Sequence, residues 1–245
     1  MNVKNLVLKS QKELKVLKQN KEYLITKARF GPSKETKIPL YLDENLAFFV
    51  ATIIGDGNLK KAKLQISIEL SDKKLIEYIR ETCLNLFNRS FNIHPVIERE
   101  GKKQTYQMVM DNKSIYCLLN KVFNIPIGKK SNIVCVPNII KKSNKSIKSA
   151  FIIGIMLTEG GKRRRGVGMS TASKMLWEDL SNLFEDVGIK VSKDRWIYKK
   201  YNKEYYGLYF KIDKIHFILE GCKNKELKDI FEQIFAYGLI QTNQK

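Results

Sequence analysis

The sequence has few of the residues that form zinc sites or nucleophilic catalytic centres. Among its 245 residues are only two histidines, His94 and His216, and four cysteines that lie far apart. No Cys-x-x-Cys pair occurs, so neither a zinc site nor a redox motif is expected. Cys83 and Cys117 fall on the apolar side of helical patterns and are expected to be buried, reduced thiols. Any enzyme chemistry is therefore expected to use carboxylates, lysines or metal ions bound by oxygen.

Long apolar runs and acidic residues are also scarce. No run approaches the ~18 apolar residues of a membrane span, and no secretory h-region is present at the N-terminus. We therefore expect a cytoplasmic protein without a membrane partner. Lys and Arg number 45 against 25 Asp and Glu, a net charge of +20. Such an excess favours nucleic acid as partner, although a lysine-rich surface from an AT-rich genome remains an alternative.

The first 40 residues differ in composition from the rest of the chain. They contain ten Lys or Arg against three Glu, and Gly31-Pro32-Ser33 interrupts them. We interpret residues 1–40 as a basic N-terminal extension, in which residues 3–25 could form a helix.

The remaining chain repeats one order of elements, in residues 41–124 and 147–245, joined by a linker at 125–146. Each copy begins with a helix that is apolar nearly all round, at 46–54 and 147–158, and such helices belong in the interior. Strand-like alternation and period-3.6 stripes follow in both copies. The predicted strands are 63–70, 91–99, 104–110, 165–171, 189–198 and 204–212, and the predicted amphipathic helices are 72–88 and 174–187. The pattern predicts an α+β fold built from two equivalent repeats, the second with a C-terminal helix.

Each apolar helix ends in one acidic residue beside glycine, Asp56 in the first copy and Glu159 in the second. If the helices pack together, both carboxylates emerge side by side, and the small residues Ala51, Gly55, Gly154 and Thr158 permit close packing. Two carboxylates at helix C-termini repel each other unless a divalent cation binds, and Mg²⁺ prefers such oxygen ligands. This pair suits metal-assisted phosphodiester hydrolysis. A single such motif would more often be an ordinary turn or helix cap, but two at equivalent points of a duplicated, basic chain favour the metal site.

Both motifs resemble those of a known family. Phe49-Val-Ala-Thr-Ile-Ile-Gly-Asp-Gly57 resembles a first LAGLIDADG motif, and Ile152-Ile-Gly-Ile-Met-Leu-Thr-Glu-Gly160 resembles a second. Ile127-Gly-Lys-Lys-Ser131 is similar to the approach to the second motif in archaeal members. The resemblance covers about residues 40–222. It implies a monomeric, site-specific homing endonuclease with two pseudo-symmetric αββαββα repeats, each with a curved antiparallel sheet, packed through the motif helices.

The resemblance also implies a cofactor and residue roles. Asp56 and Glu159 would bind Mg²⁺, for which Mn²⁺ could substitute, with Gly55 and Thr158 completing the metal site. Lys162 matches a lysine that acts near the metals. Where the family often has Gln or Lys at a strand end, this chain has Glu69-Leu70 in the first repeat and Thr171-Ala172 in the second. Lys60, Lys61 and Lys211 are candidate substitutes.

The polar strand faces are expected to contact double-stranded DNA, because Gln, Arg and Lys pair with base edges in the major groove. Arg163, Arg164 and Arg165 follow the catalytic acid and suit phosphate contacts. Any of these residues could instead be part of a solvated face. The candidate DNA contacts are Lys63, Gln65, Ser67, Glu69, Gln104, Gln107, Arg163, Arg164, Arg165, Lys193, Arg195, Tyr205, Tyr209 and Lys211.

Two other functions remain open. A non-cleaving protein of the same fold could bind intron RNA as a splicing maturase or act as a DNA-binding regulator. A structural RNA-binding protein is the third hypothesis. The retained acids favour cleavage, whereas the missing strand-end lysines and the basic extension favour a non-cleaving protein.

Overall fold

A computed structural model describes residues 12–31, 33–61, 63–96, 104–163 and 166–241. The strands are β1 (Leu14–Gln19), β2 (Tyr23–Ala28), β3 (Thr36–Pro39), β4 (Gly57–Lys60), β5 (Gln65–Leu70), β6 (Ile93–Val96), β7 (Thr105–Met110), β8 (Gly160–Arg163), β9 (Gly166–Thr171), β10 (Ser192–Tyr198) and β11 (Lys203–Phe210). The helices are α1 (Glu44–Gly55), α2 (Lys73–Phe87), α3 (Lys113–Cys117), α4 (Asn138–Lys141), α5 (Lys145–Glu159), α6 (Lys174–Asp186), α7 (Ile215–Gly221) and α8 (Lys225–Gln241). A π-helical turn, Leu118–Val122, continues α3.

The predicted duplication is confirmed by the topology. Each repeat contains a four-stranded antiparallel sheet, ordered β4-β5-β7-β6 in the first and β8-β9-β11-β10 in the second. The strands occupy equivalent positions, so both repeats follow the order αββαββα. The α+β fold class predicted from the sequence is therefore confirmed.

Helices α1 and α5 pack against each other between the repeats. All nine residues from Leu46 to Ile54 are buried, which explains why α1 is apolar nearly all round. A Cβ atom at Gly154 would lie only 2.6 Å from the Cβ of Ala51 and 2.8 Å from the carbonyl oxygen of Phe48. Glycine at this position therefore allows the two backbones to approach closely, as the small residues predicted.

The amphipathic helices α2 and α6 cover one face of each sheet. Asp72 caps α2 by accepting a hydrogen bond from the Leu75 amide, and Ser173 accepts one from Leu176 in α6. Gly188, with φ near +100°, follows the end of α6 as predicted. The strand residues that point towards these helices are buried, whereas the opposite face of each sheet stays open. The buried strand residues include Ile66, Ile68, Leu70, Met108, Met110, Val167, Met169, Tyr206, Leu208 and Phe210.

The helix predicted for residues 3–25 is wrong over the described residues. Residues 14–39 form a three-stranded antiparallel sheet, β1-β2-β3, and residues 1–11 lie outside the described part of the chain. Burial alternates along β2, and Leu14, Leu24 and Ile38 belong to the common hydrophobic core. The leucine spacing that favoured a helix thus reflects contacts made by separate strands.

Several predicted boundaries also change. Lys63 and Leu64 lie in the turn between β4 and β5, and Leu64 has a positive φ of 48°, so the strand begins only at Gln65. Ile212 leaves β11 and is 50% exposed. Residues 97–99 of the predicted strand 91–99 fall outside the described residues.

The two cysteines that were predicted to be buried are buried in the structure. Cys83 and Cys117 are buried and form no disulfide bond among the described residues. Over the described residues, no helix has the length and apolar character that crossing a membrane requires.

Candidate active site and nucleic-acid interface

The C-terminal ends of α1 and α5 meet at the centre of the molecule. A Cβ atom at Gly55 would lie 2.1 Å from Oγ1 of Thr158, so these two residues are in direct contact. Asp56 follows Gly55 as the C-cap of α1, and Glu159 follows Thr158 as the last residue of α5. The packing therefore brings both acidic residues to the same end of the helix pair.

The two carboxyl groups interact electrostatically. Partial burial among the helix ends is the main cause that raises the pKa of Asp56 to about 7, and the charge of Glu159 is the second cause. Burial also raises the pKa of Glu159, while the ammonium group of Lys130 opposes this rise. The described residues contain no group of three or more His, Cys, Asp or Glu side chains arranged to hold a metal. A metal here would rely on this acid pair and neighbouring oxygen atoms.

Lys130 is the nearest cation and was assigned no role by the sequence. Its Nζ donates hydrogen bonds to the carbonyl oxygens of Ile53 (2.8 Å), Gly55 (2.5 Å) and Ile54 at the end of α1. Burial lowers the pKa of Lys130 to about 8, whereas both acids act to raise it. A positive charge here neutralises the negative end of the helix dipole.

The linker positions Lys130 through backbone contacts. The amide of Gly128 donates to the carbonyl of Leu59 in β4 (2.8 Å), and the Lys130 carbonyl accepts from Ile133 and Val134. The only sequence signal for this lysine was its place in the segment that resembles the approach to the second motif.

A cavity of about 200 Å³ opens beside Glu159, whereas Asp56 is not among its lining residues. Lys203, at the start of β11, lines this cavity, and its Nζ lies 3.3 Å from Oγ of Ser131. Thr171 and Ala172 line it too, at the strand end where the sequence lacks a lysine. The second repeat therefore brings a lysine to this position from the neighbouring strand. The lining residues are Ile54, Gly55, Lys130, Ser131, Val134, Glu159, Ser170, Thr171, Ala172, Leu176, Lys203 and Tyr205.

Lys162, whose catalytic role stays a prediction, lies in the edge strand β8 and is exposed. Lys162 is opposite Val167 in the β8–β9 ladder, and Val167 points into the core. Because directly opposed residues share a face, Lys162 lies on the helix side of the sheet. Among the described lysines, Lys130 and Lys203 line the cavity instead.

The first repeat has a different residue at its strand end. Glu69 accepts a hydrogen bond from Oγ1 of Thr105 (2.8 Å) and a longer one from Nε2 of Gln107 (3.5 Å). Its negative charge also contributes to raising the pKa of Asp56. The two halves of the site are therefore electrostatically unequal.

The open face of the first sheet carries most of its predicted DNA contacts. Glu69 is opposite Gln107, and Gln65 and Ser67 alternate onto the same face. Ser67 is only 7% exposed, so it is less accessible than the pattern suggested. Gln104 precedes β7, and its amide group donates to the carbonyls of Val96 and Thr105.

Lys193 and Arg195, which the sequence predicts to contact DNA, share a face of the second sheet with residues that point towards α6. They are opposite Leu208 and Tyr206, whose side chains are buried on the helix side. Lys193 lies over the ring of Trp177, with Nζ 5.4 Å from its centroid. Strand β10 forms the sheet edge, and its residues are mostly exposed on both sides. The pattern of polar residues in β10 therefore does not show which face of the second sheet each residue occupies.

Aromatic residues occupy much of the open face of the second sheet. Tyr205 is opposite Trp196, and their rings stack with centroids 6.1 Å apart. The ring of Tyr209 lies over Gly207, where a Cβ atom would be 2.3 Å from the tyrosine hydroxyl. This face thus retains Tyr205 and Tyr209 from the prediction and adds Trp196, which sequence reasoning missed.

The remaining predicted contacts lie at the outer end of the second sheet. Arg163 is opposite Gly166, on the open side, and Lys211 is exposed immediately after β11. Arg164 and Arg165 fall outside the described residues.

The fold and the site define a single chain in which two repeats place an acid pair between open sheet faces. Residues 146–234 match the model of the LAGLIDADG-like domain family. The homing endonuclease I-DmoI in complex with DNA and Mn is structurally similar, with 19% identity and a TM-score of 0.53, covering 75% of this chain and 99% of that chain. The N-terminal LAGLIDADG domain of DUF199/WhiA is similar at 12% identity and a TM-score of 0.50, covering 77% and 86% of the respective chains.

A relative found by sequence similarity matches this chain over only a small part of its own length. The replication factor C small subunit of Methanocaldococcus jannaschii is 28% identical over 166 residues, which are 68% of this chain but 9% of that protein. The chain thus spans only a small part of this relative's length. The family match is confined to residues 146–234, and the structural similarity shows that the chain has the two-repeat fold of these LAGLIDADG proteins.

Proposed function

We propose that this protein is a site-specific endonuclease that hydrolyses phosphodiesters in double-stranded DNA. The observation that carries this proposal is the convergence of Asp56 and Glu159 at the end of the paired helices, between two open sheet faces. A net charge of +20 supplies the attraction to the DNA backbone. The similarity to I-DmoI, whose structure contains DNA and Mn, supports the same class of substrate.

The residues at the helix ends fit a divalent metal. Asp56 and Glu159 offer carboxylate oxygens, and Gly55 and Thr158 offer backbone carbonyls, which together form the all-oxygen donor set that Mg²⁺ prefers. Burial is the main cause that raises the pKa of both acids, and a bound cation would favour their ionised forms. When bound, Mg²⁺ or Mn²⁺ would activate water and stabilise the leaving oxygen.

The lysines have separate roles in this proposal. Lys130 holds positive charge at the end of α1 and favours the ionised forms of both acids. Its pKa of about 8 also makes it suitable for holding or releasing a proton near neutral pH. Lys203 lies beside Ser131 at the cavity and is suited to contact the scissile phosphate from the second repeat.

A non-cleaving nucleic-acid-binding protein is the second candidate function, with intron RNA or regulatory DNA as its ligand. Two observations favour it. Glu69 replaces the Gln or Lys expected at the first strand end, and Lys130 bonds to the same Gly55 carbonyl that a metal would use.

Metal-dependent cleavage of plasmid DNA tests the first function directly. We expect a supercoiled plasmid library carrying candidate target sites to be linearised in Mg²⁺ or Mn²⁺, because either metal can complete the oxygen site. Chelation by EDTA should remove cutting without unfolding the protein, since no metal-dependent core exists among the described residues. Selective DNA binding without cleavage in either metal would instead support the second function.

A Lys203→Met substitution separates cleavage from binding. We expect the cutting rate to fall by about 10²-fold, because one charged group that stabilises the scissile phosphate is lost. DNA affinity should change little, since the protein retains most of its positive charge. The assay is single-turnover cleavage with gel separation of nicked and linear DNA. Lys199→Met, in the same hairpin, is the control, and equal loss in both variants would refute a specific role for Lys203.

A further inference from the structure

The N-terminal sheet is fixed to the first repeat by buried polar contacts. Oγ1 of Thr26 in β2 donates to Oγ of Ser114 (2.9 Å), and Nδ2 of Asn112 donates to Oγ1 of Thr36 in β3 (2.8 Å). All four residues are at least nine-tenths buried. If the N-terminal sheet separated from the first repeat, these hydrogen bonds would break and leave buried polar groups unpaired. The sheet is therefore an integral part of the first repeat, and the loop between β2 and β3 has a defined position.

This loop lies at the end of the first sheet that is remote from the acids. Strand β4 starts at Gly57, next to Asp56, and runs outward to Lys60, so the turn at 61–64 lies on the order of 10–15 Å further out. A cleft of about 270 Å³ separates this turn from the loop. We name it the outer basic cleft. Its lining residues are Ala28, Phe30, Ser33, Lys34, Lys63, Leu64, Asp111, Asn112, Lys113 and Ser114.

The cleft combines positive charge with an exposed aromatic side chain. Lys34, Lys63 and Lys113 come from three separate segments, and Asp111 is the acidic residue in the lining. Oδ1 of Asp111 accepts a hydrogen bond from Nε2 of Gln65, which lies on the open sheet face. The cleft is thus continuous with that face. Phe30 is 74% exposed at the cleft.

Two backbone features help to position the lining residues that lie between β2 and β3. Ser33 Oγ accepts a hydrogen bond from the Ala28 amide (2.7 Å), which closes the loop between β2 and β3. Gly31 has φ near +82°, a conformation that favours glycine. Phe30 and Lys34, which are separated by only three residues in the sequence, both line the cleft.

We propose that the outer basic cleft binds the DNA backbone beyond the first half of the recognition surface. Lysines converging from the loop, the turn and the start of α3 would contact phosphates, and Phe30 would pack against the adjoining sugar. This inference rests on the proposed DNA-binding function and assigns the N-terminal sheet a role in it. The bound length of DNA would then extend further on the first-repeat side than on the other.

The test uses the whole chain and a mixed-sequence DNA duplex of ~60 base pairs, because phosphate contacts do not depend on sequence. The variant is Lys34→Ala/Lys113→Ala. The control is Lys74→Ala/Lys225→Ala, which removes two exposed lysines from helices α2 and α8. Affinity is measured from about 0.05 to 0.2 M salt, and bound length is measured by hydroxyl-radical footprinting. Thermal melting verifies that each variant is folded.

We expect the Lys34→Ala/Lys113→Ala variant to reduce the slope of log K against log salt by about 1.8, since each lost phosphate contact contributes about 0.9. Its footprint should shorten at one end only, and the control should keep the wild-type slope and footprint. An unchanged slope and footprint in the variant, or equal losses in the control, would overturn this inference while leaving DNA binding intact. A wild-type protein that protects RNA but no DNA would overturn both proposals.

Discussion

Asp56→Asn/Glu159→Gln is expected to abolish DNA cleavage and to leave duplex affinity unchanged or increased. The acid pair supplies the only carboxylates that the described structure places together at the ends of α1 and α5. Metal-assisted hydrolysis draws several kcal/mol of transition-state stabilisation from the ion, so its loss should slow cutting by at least ~10³-fold. Affinity should not fall, because the substitutions remove repulsion between the acids and between each acid and DNA.

Single-turnover cleavage and filter binding on the same DNA measure the two effects separately. Glu81→Gln/Glu185→Gln, which removes two exposed acids from α2 and α6, controls for the change in net charge. Full cleavage by the double variant would exclude Asp56 and Glu159 as the metal site. Loss of binding together with cleavage would indicate damage to the fold, which thermal melting would detect.

Gly154→Ala is expected to reduce the free energy of unfolding by about 3 kcal/mol. The added Cβ would lie 2.6 Å from the Cβ of Ala51 and 2.8 Å from the Phe48 carbonyl oxygen. The latter is a backbone atom within a buried helix, so α1 and α5 would have to move apart. The same movement would separate Asp56 from Glu159, and cleavage should decrease as well.

Denaturant unfolding compares this variant with Gly161→Ala. A Cβ at Gly161 meets no atom within 4 Å, so the same chemical change should have a small effect on stability there. Equal stability of the Gly154→Ala variant and the wild type would show that the helices are not packed as closely as the structure indicates.

The motif helices were predictable because their environment is simple. A helix surrounded by protein on all sides must be apolar on all sides, and α1 and α5 have that composition. Their end residues follow from helix geometry alone, so Asp56 and Glu159 could be assigned before the fold was known. Alternation in β5 was equally informative because Ile66 and Ile68 face the core while Gln65 and Glu69 do not.

The sequence periodicity was less informative for strands at sheet edges than for the central helices and β5. In β10 residues on both faces are largely exposed, so its sequence has no regular alternation of polar and apolar residues that would identify the faces of Lys193 and Arg195. In the N-terminal sheet, strands of four to six residues were too short to show a clear period, and leucines from different strands resembled one helical stripe.

Composition and local periodicity were thus enough to establish a basic, duplicated α+β chain with one acid at the end of each central helix. The approach of Lys130 and Lys203 to those acids depended instead on contacts between residues distant in the chain. Lys130 reaches α1 across more than 70 positions, and Lys203 reaches the linker across 72. No local pattern encodes such contacts, because they arise only when helices, linker and sheet pack together.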